Sequence, residues 1–245
     1  ASIWFGKMGS SEIIEEEPWQ LEQLTNVAED EYTQRRRREG DLLLSLAEGY
    51  HAEEQARDAL TSAQDALQVF EELDDSRCIV NCVRIIVSSY CALGNVAEAR
   101  RHVQPHWERS RRAGQKRTQG CLLHAMADIM LASNSPSAAV DALQCFSEAR
   151  ELFIVAGDIQ MEVATLLAQA DLEVQQKSTF GANEGDRLGD ALSSAMEAMT
   201  LAEEAEDRLL QARCWSCLAR VHSSSGLQAD SRAAALKALR VFREQ

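Results

Sequence analysis

The sequence predicts an all-α chain folded as a solenoid of stacked antiparallel helical hairpins. Three observations carry this. Ala and Leu dominate, strand-like alternation is almost absent, and only 3 of 245 residues are Pro, so helices are rarely interrupted. The turn within Tyr90–Val103 (YCALGNVAEARRHV) has a counterpart in His222–Ala235 (HSSSGLQADSRAAA): a ring, Gly four residues on, and a small residue five further. Finally, a ring column recurs as Tyr50, Tyr90, Met130, Glu173 and His222, with steps of 40, 40, 43 and 49 residues.

The elements follow in order. Residues 1–17 read as an extended acidic tail, with an apolar patch at Ile3, Trp4 and Phe5 that offers a partner contact and a close at Glu15, Glu16 and Glu17. The first residue is Ala1, so an initiator Met or a leader has been removed, or the sequence starts late. Pro18 suits a first helical turn, and the three Glu before it favour the positive end of the helix dipole. Leu21, Leu24, Val27 and Ala28 repeat at helical spacing, which predicts a capping helix over 18–34. Residues 35–245 form an array of five hairpins, with helix pairs near 36–53/55–73, 76–93/95–112, 116–132/136–156, 159–175/187–205 and 208–225/227–244. A polar, Gly-containing insertion at 175–187 (QQKSTFGANEGDR) divides the fourth pair and reads as an exposed loop, either tolerated or used as a partner contact.

Within each unit the columns alternate in size. Seven residues before the ring stand Leu43, Val83, Leu123, Leu166 and Trp215; three before it stand Ala47, Val87, Ala127, Ala170 and Ala219. The second helices carry Ala59, Ala99, Ala142, Ala191 and Ser231, and seven further Ala66, His106, Ala149, Ala198 and Ala238. Four beyond that, Phe70, Phe153 and Phe242 agree while Ser110 and Ala202 depart. Helices approach closely only where one shows a small side chain, and a large neighbour fills the space beside it. Each hairpin leaves an apolar face that the next one buries. This pattern resembles the tetratricopeptide (TPR) repeat family, in a form with steps near 40 residues. The resemblance covers about residues 35–245 and implies a right-handed superhelix, TPR-like, that binds protein.

Composition excludes several classes. The formal net charge of −14 argues against a nucleic-acid binder, since phosphate neutralisation needs clustered cations. No apolar run is long enough to span a bilayer. Seven Cys is an odd number with no small-scaffold framework, which favours a reducing compartment, the cytoplasm or an organelle interior.

Chemistry-bearing motifs are lacking. There is no phosphate-binding loop, nucleophile elbow or HExxH, so no catalytic residue and no cofactor is expected. Cys78 and Cys82, Cys214 and Cys217, and His102 and His106 have spacings that could share a metal, but they sit in different repeats, and the thiols read as small core hydrophobes. Arg35 to Arg38 lie either against the preceding acidic segment or across the capping helix. The stretch Trp107–Arg117 reads either as cations complementing a helix C-terminus or as a docking patch built on Trp107, Arg111 and Arg112. Pro105 should kink its helix.

The family resemblance places the concave groove on the first helices. Its positions are Asp41, Leu44, Glu48 and His51; Asn81, Arg84, Ser88 and Cys91; Cys121, His124, Asp128 and Leu131; Ala164, Leu167, Asp171 and Val174; Arg213, Ser216, Arg220 and Ser223. Such a groove is acidic at the first repeat, apolar in the middle and basic at the last. Arg84, Arg213, Arg220 and His124 are its candidate partner-binding residues. The expectation is a non-enzymatic scaffold or adaptor subunit of a larger assembly. Two alternatives stand beside it: a permanent structural subunit of an axonemal or organellar membrane complex, and a ligand-sensing regulatory domain.

Overall fold

A computed structural model describes the backbone of residues 18–133, 135–176 and 184–244, with side chains described at 30–133, 135–176 and 187–244. Among these residues there is no strand. Ten helices follow one another: α1 (Pro18–Ala52), α2 (Ala56–Glu72), α3 (Ser76–Ala92), α4 (Val96–Arg112), α5 (Lys116–Ala132), α6 (Ala138–Ala156), α7 (Ile159–Gln176), α8 (Glu184–Glu204), α9 (Arg208–Ser224) and α10 (Gln228–Arg243). They pair as five antiparallel hairpins, and each second helix also packs on the next first helix. The tail with Ile3, Trp4 and Phe5, and residues 177–183 of the insertion, lie outside the described residues.

The expected capping helix and the first helix of the array are one continuous helix of 35 residues. Nothing between Thr33 and Gly40 breaks it: Gln, four Arg and Glu are all good helix formers. The four Arg therefore sit in mid-helix, and the partners described for two of them lie on α1 itself and in the next hairpin connection rather than in a cap. Arg36 pairs with Glu72 at 2.6 Å and Glu39 at 2.7 Å, and Arg37 pairs with Asp75 at 2.7 Å, so they tie α1 to the turn between α2 and α3. α4 runs on through Pro105.

Seven of the connections are closed in the same way. A residue just past the helix end, two on in six cases and one on for Gly157, is held at positive φ: Glu54, Asp74, Gly94, Gly114, Gly157, Glu206 and Gly226. Its N–H and the next one donate back into the last turn, as in Gly94 N–H to Cys91 O and Asn95 N–H to Tyr90 O. This Schellman arrangement satisfies carbonyls that a helix end leaves orphaned. Three turns between hairpins add a second fixture. Asp75, Asp158 and Asp207 accept from backbone N–H groups that open α3, α7 and α9.

The Phe column of the second helices explains two glycines on the first. A Cβ added to Gly40 would lie 2.9 Å from the Phe70 ring, and one on Gly120 would lie 2.7 Å from the Phe153 ring. Both rings are fully buried. Where the column is small, the opposite position fills instead: Val80 faces a small cavity shared with Ser110, and buried Val163 accompanies Ala202. Volume is thus conserved across the pair.

The core falls into two clusters. One runs from α1 to α6 with Leu172 of α7, the other from α7 to α10. First helices pack on one another as α1/α3, α3/α5 and α7/α9, whereas α5 and α7 make at most a marginal contact. Arg117 with Asp158 and Arg150 with Glu162 bridge the junction.

Gly120→Ala is expected to lower stability by about 1–3 kcal/mol through overpacking against Phe153. Phe153→Ala alone is expected to cost about 3–5 kcal/mol. The double variant Gly120→Val/Phe153→Ala, which copies Val163 and Ala202, should be less damaged than the sum by about 1 kcal/mol or more. Urea unfolding of the four proteins measures this coupling.

Candidate functional site

The first helices stack side by side, so residues at one register on α1, α3 and α5 converge. Glu48 and His51 of α1, Asn81, Arg84, Ile85 and Ser88 of α3, and Asp128 of α5 line a pocket of about 180 Å³. Arg84 stands exposed in it and makes no hydrogen bond or ion pair with any described residue. Two α5 residues one turn apart, His124 and Asp128, feel its charge. The Asp128 carboxyl is pushed up to about 6 by burial, with Arg84 pulling it down. His124 is pushed down to about 4, by burial first and by Arg84 second. Its ring stands edge-on to Phe146 at 4.8 Å, and its Nε2 is buried without a hydrogen-bond partner. Cys91 beside them is raised to about 11 by burial and by Asp128. At neutral pH the pocket therefore holds the Arg84 side chain and a carboxyl that ionises only above its usual range, with the neutral His124 imidazole buried next to them.

The far end of the groove differs from the sequence expectation. Arg220 is held by Asp171 of α7 at 2.6 Å, and the Cys217 thiol donates to the other oxygen of Asp171 at 3.6 Å. The basic character of the last unit is thereby reduced to Arg213, which is exposed. The middle is not simply apolar, because Arg84, His124 and Asp128 meet there. Leu44, Leu167 and Cys121, expected on the groove surface, are buried in the core. Apolar side chains at these places are buried, where their area leaves water, whereas Arg84 and Arg213 at the same registers are exposed.

The outer stretch separates into its parts. Trp107 is half-buried and packs on the core, at the register where Leu67 and Met199 are buried. Arg111 and Arg112 are exposed, and Arg112 lies 3.7 Å from Glu108. The structure thus leaves the aromatic residue out of the cationic surface.

Among the described residues, no three His, Cys, Asp or Glu converge on a metal position. Cys82, Cys214 and Cys217 are buried, with thiols pushed up to about 12, 11 and 12 by burial. His102 stacks on Tyr90 at 5.3 Å. One carboxyl escaped sequence reading: Glu173, in the ring column, is raised to about 7 by burial and by Asp190, and its Oε2 is buried without a partner. Its only sequence signal is an acid in a column of rings and Met. No helix of the described residues is long and apolar enough to cross a membrane.

No family model matches the chain, and no curated protein matches it. Solved structures do. BtubC (BKLC) from P. vanneervenii is 16% identical, with a TM-score of 0.55 over 89% of each chain. A Podosopora anserina putative kinesin light chain, with nearly identical TPR-like repeats, is 11% identical, with a TM-score of 0.52 over 86% of this chain and 97% of its own. A Rap protein complexed with competence and sporulation factor is 13% identical, with a TM-score of 0.56 over 84% of this chain and 64% of its own. These likenesses establish the fold: an all-α, TPR-like solenoid.

Burial raises both carboxyls, so each keeps its proton in the native state after the unfolded chain has lost it. Stability should therefore fall as pH rises, from about 4 to 6 through Asp128 and from about 4.5 to 7 through Glu173. His124 has the opposite sign: its native form stays neutral, so stability should fall as pH drops from 6.5 to about 4. Urea midpoints against pH test this. Asp128→Asn and Glu173→Gln should each remove a falling segment, and His124→Phe should remove a rising one.

Proposed function

We propose that this chain is a divergent tetratricopeptide-repeat protein acting as a non-enzymatic adaptor subunit, which binds a segment of a partner protein in the pocket between α1, α3 and α5. One observation carries the reading. In a chain of net charge −14, the exposed Arg84 guanidinium lies in a concave pocket with no acidic partner in hydrogen-bonding range. An unpaired cation in a groove is a ready counter-charge for a carboxylate. Glu48 and Asp128 on either side favour a partner segment in which that carboxylate is followed by a cation. Arg213 supplies a second cation farther along, whereas Arg220 serves the wall of the groove through Asp171. Arg111 and Arg112 form a separate outer surface. TPR-like neighbours include a Rap protein complexed with competence and sporulation factor, which is in keeping with a binding role for this fold.

Affinity capture from the native source tests the assignment with wild type, Arg84→Glu and Arg111→Glu/Arg112→Glu. A partner retained by wild type and by the outer variant, and weakened about tenfold or more by Arg84→Glu, supports it. The same partners retained equally by all three would sink the groove reading.

A further inference from the structure

A stacked array has a front face on each first helix, turned to the preceding second helix, and a rear face on each second helix, turned to the next first helix. Inside the chain these faces cover one another four times, as α2/α3, α4/α5, α6/α7 and α8/α9. The first and last helices among the described residues each keep one of them bare.

On α1 the front positions are Leu42, Leu46 and Gly49. Leu42 is 73% exposed, while Cys82, Leu122, Thr165 and Cys214 at the same register are all fully buried. Leu46 is 48% exposed, while Ile86 and Leu218 are buried; Gly49 is exposed, while Ser89, Ile129, Leu172 and Val221 are buried. On α10 the rear positions are Ala235 and Leu239, with Phe242 at the edge between this face and its own hairpin, the register at which Phe70 and Phe153 also pack on Gly40 and Gly120. Leu239 is 42% and Phe242 46% exposed. Their counterparts Leu67 and Met199, and Phe70, Ser110, Phe153 and Ala202, are buried. Ala235 is exposed where Ala63, Val103, Phe146 and Ala195 are buried. A face that closes a solenoid is usually polar; these two faces are apolar.

We infer that the chain associates head to tail with a second copy of itself, the front face of α1 seating on the rear face of α10. The internal interfaces give the register. Gln119 donates to the carbonyl of Ser110, and Gln211 to that of Ala202, so this first-helix position meets the last turn of the preceding second helix. Glu39 holds that position on α1 and Phe242 holds the carbonyl's place on α10. The last turn of α10 carries Arg240 and Arg243, so Glu39, which pairs with Arg36 in its own chain, gains cations there; Arg240 is itself paired with Glu244, and Arg243 is the one left to it. Apolar columns and charges thus match at the same register. Such an interface is heterologous: each copy offers one front and one rear, and the assembly grows by addition rather than closing as a symmetric dimer. It leaves the Arg84 pocket open and does not depend on its function.

Sedimentation velocity of the full 245-residue chain over a wide concentration range tests this, with far-UV circular dichroism confirming helicity. The weight-average mass of wild type is expected to rise with concentration. Leu42→Glu/Leu46→Glu removes the front and Leu239→Glu/Phe242→Glu the rear; each variant alone should be monomeric, since burying an unpaired carboxylate weakens the contact about tenfold or more. Mixed together, the two variants should form a 1:1 dimer and stop, because each retains one intact face. Arg84→Glu should associate as wild type does. A wild type that is monomeric at every concentration overturns the inference, whether residues 1–17 cover the faces or nothing does. So does a dimer that survives in either variant alone, since that contact would be isologous or lie elsewhere. If the rear variant loses helicity, Phe242→Ser, which copies Ser110, takes its place in the mixing experiment.

Discussion

One residue at positive φ closes nearly every helix of this chain. The same turn recurs at seven connections, and a repeated connection is what lets a row of hairpins stack as a solenoid. The stacking faces, the groove and the exposed ends all inherit their register from it. Four of these places hold Gly, for which the conformation costs little; three hold Glu or Asp, for which it costs roughly 1 kcal/mol each. Those three acids are exposed, and two of them, Asp74 and Glu206, precede Asp75 and Asp207, whose carboxylates cap the next helix. Burial of the flanking apolar columns offsets the strain.

Much of this was legible in the sequence because size is written in columns. Alternating small and large residues at fixed spacing can satisfy only helices packed at close range. The ring, Gly and Ala columns therefore located helices within a few residues of where they lie. What escaped was whatever depends on a partner far away in sequence. Gly40 and Gly120 look like mid-helix weaknesses until the Phe one helix later is placed against them. The Arg run looked like a boundary, yet Arg36 and Arg37 find their acids at Glu72 and Asp75, across a hairpin.

The groove was the least legible part, for the same reason. Asp171 and Arg220 lie 49 residues apart and become a pair only once α7 and α9 are side by side. Charge reading along the chain counts Arg220 as available and does not anticipate that Arg84 and Asp128 share one pocket, with His124 buried within reach of the same charge. Family resemblance supplied the groove-facing register correctly for Glu48, His51, Asn81, Arg84, Ser88 and Asp128. It failed at Leu44, Leu167 and Cys121, where side-chain hydrophobicity overrules position.

The division of the core between α6 and α7 has a mechanical consequence. A solenoid resists changes of pitch where its inner helices are locked together, and here the inner row is locked everywhere except between α5 and α7. That junction is a soft coil in an otherwise stiff spring. It is held by apolar packing of α6 on α7 and by two ion pairs, Arg117–Asp158 and Arg150–Glu162. Ion pairs at partly exposed sites weaken as salt screens them. Salt therefore weakens only the more exposed part of what holds this junction, and the apolar packing of α6 on α7 carries the rest.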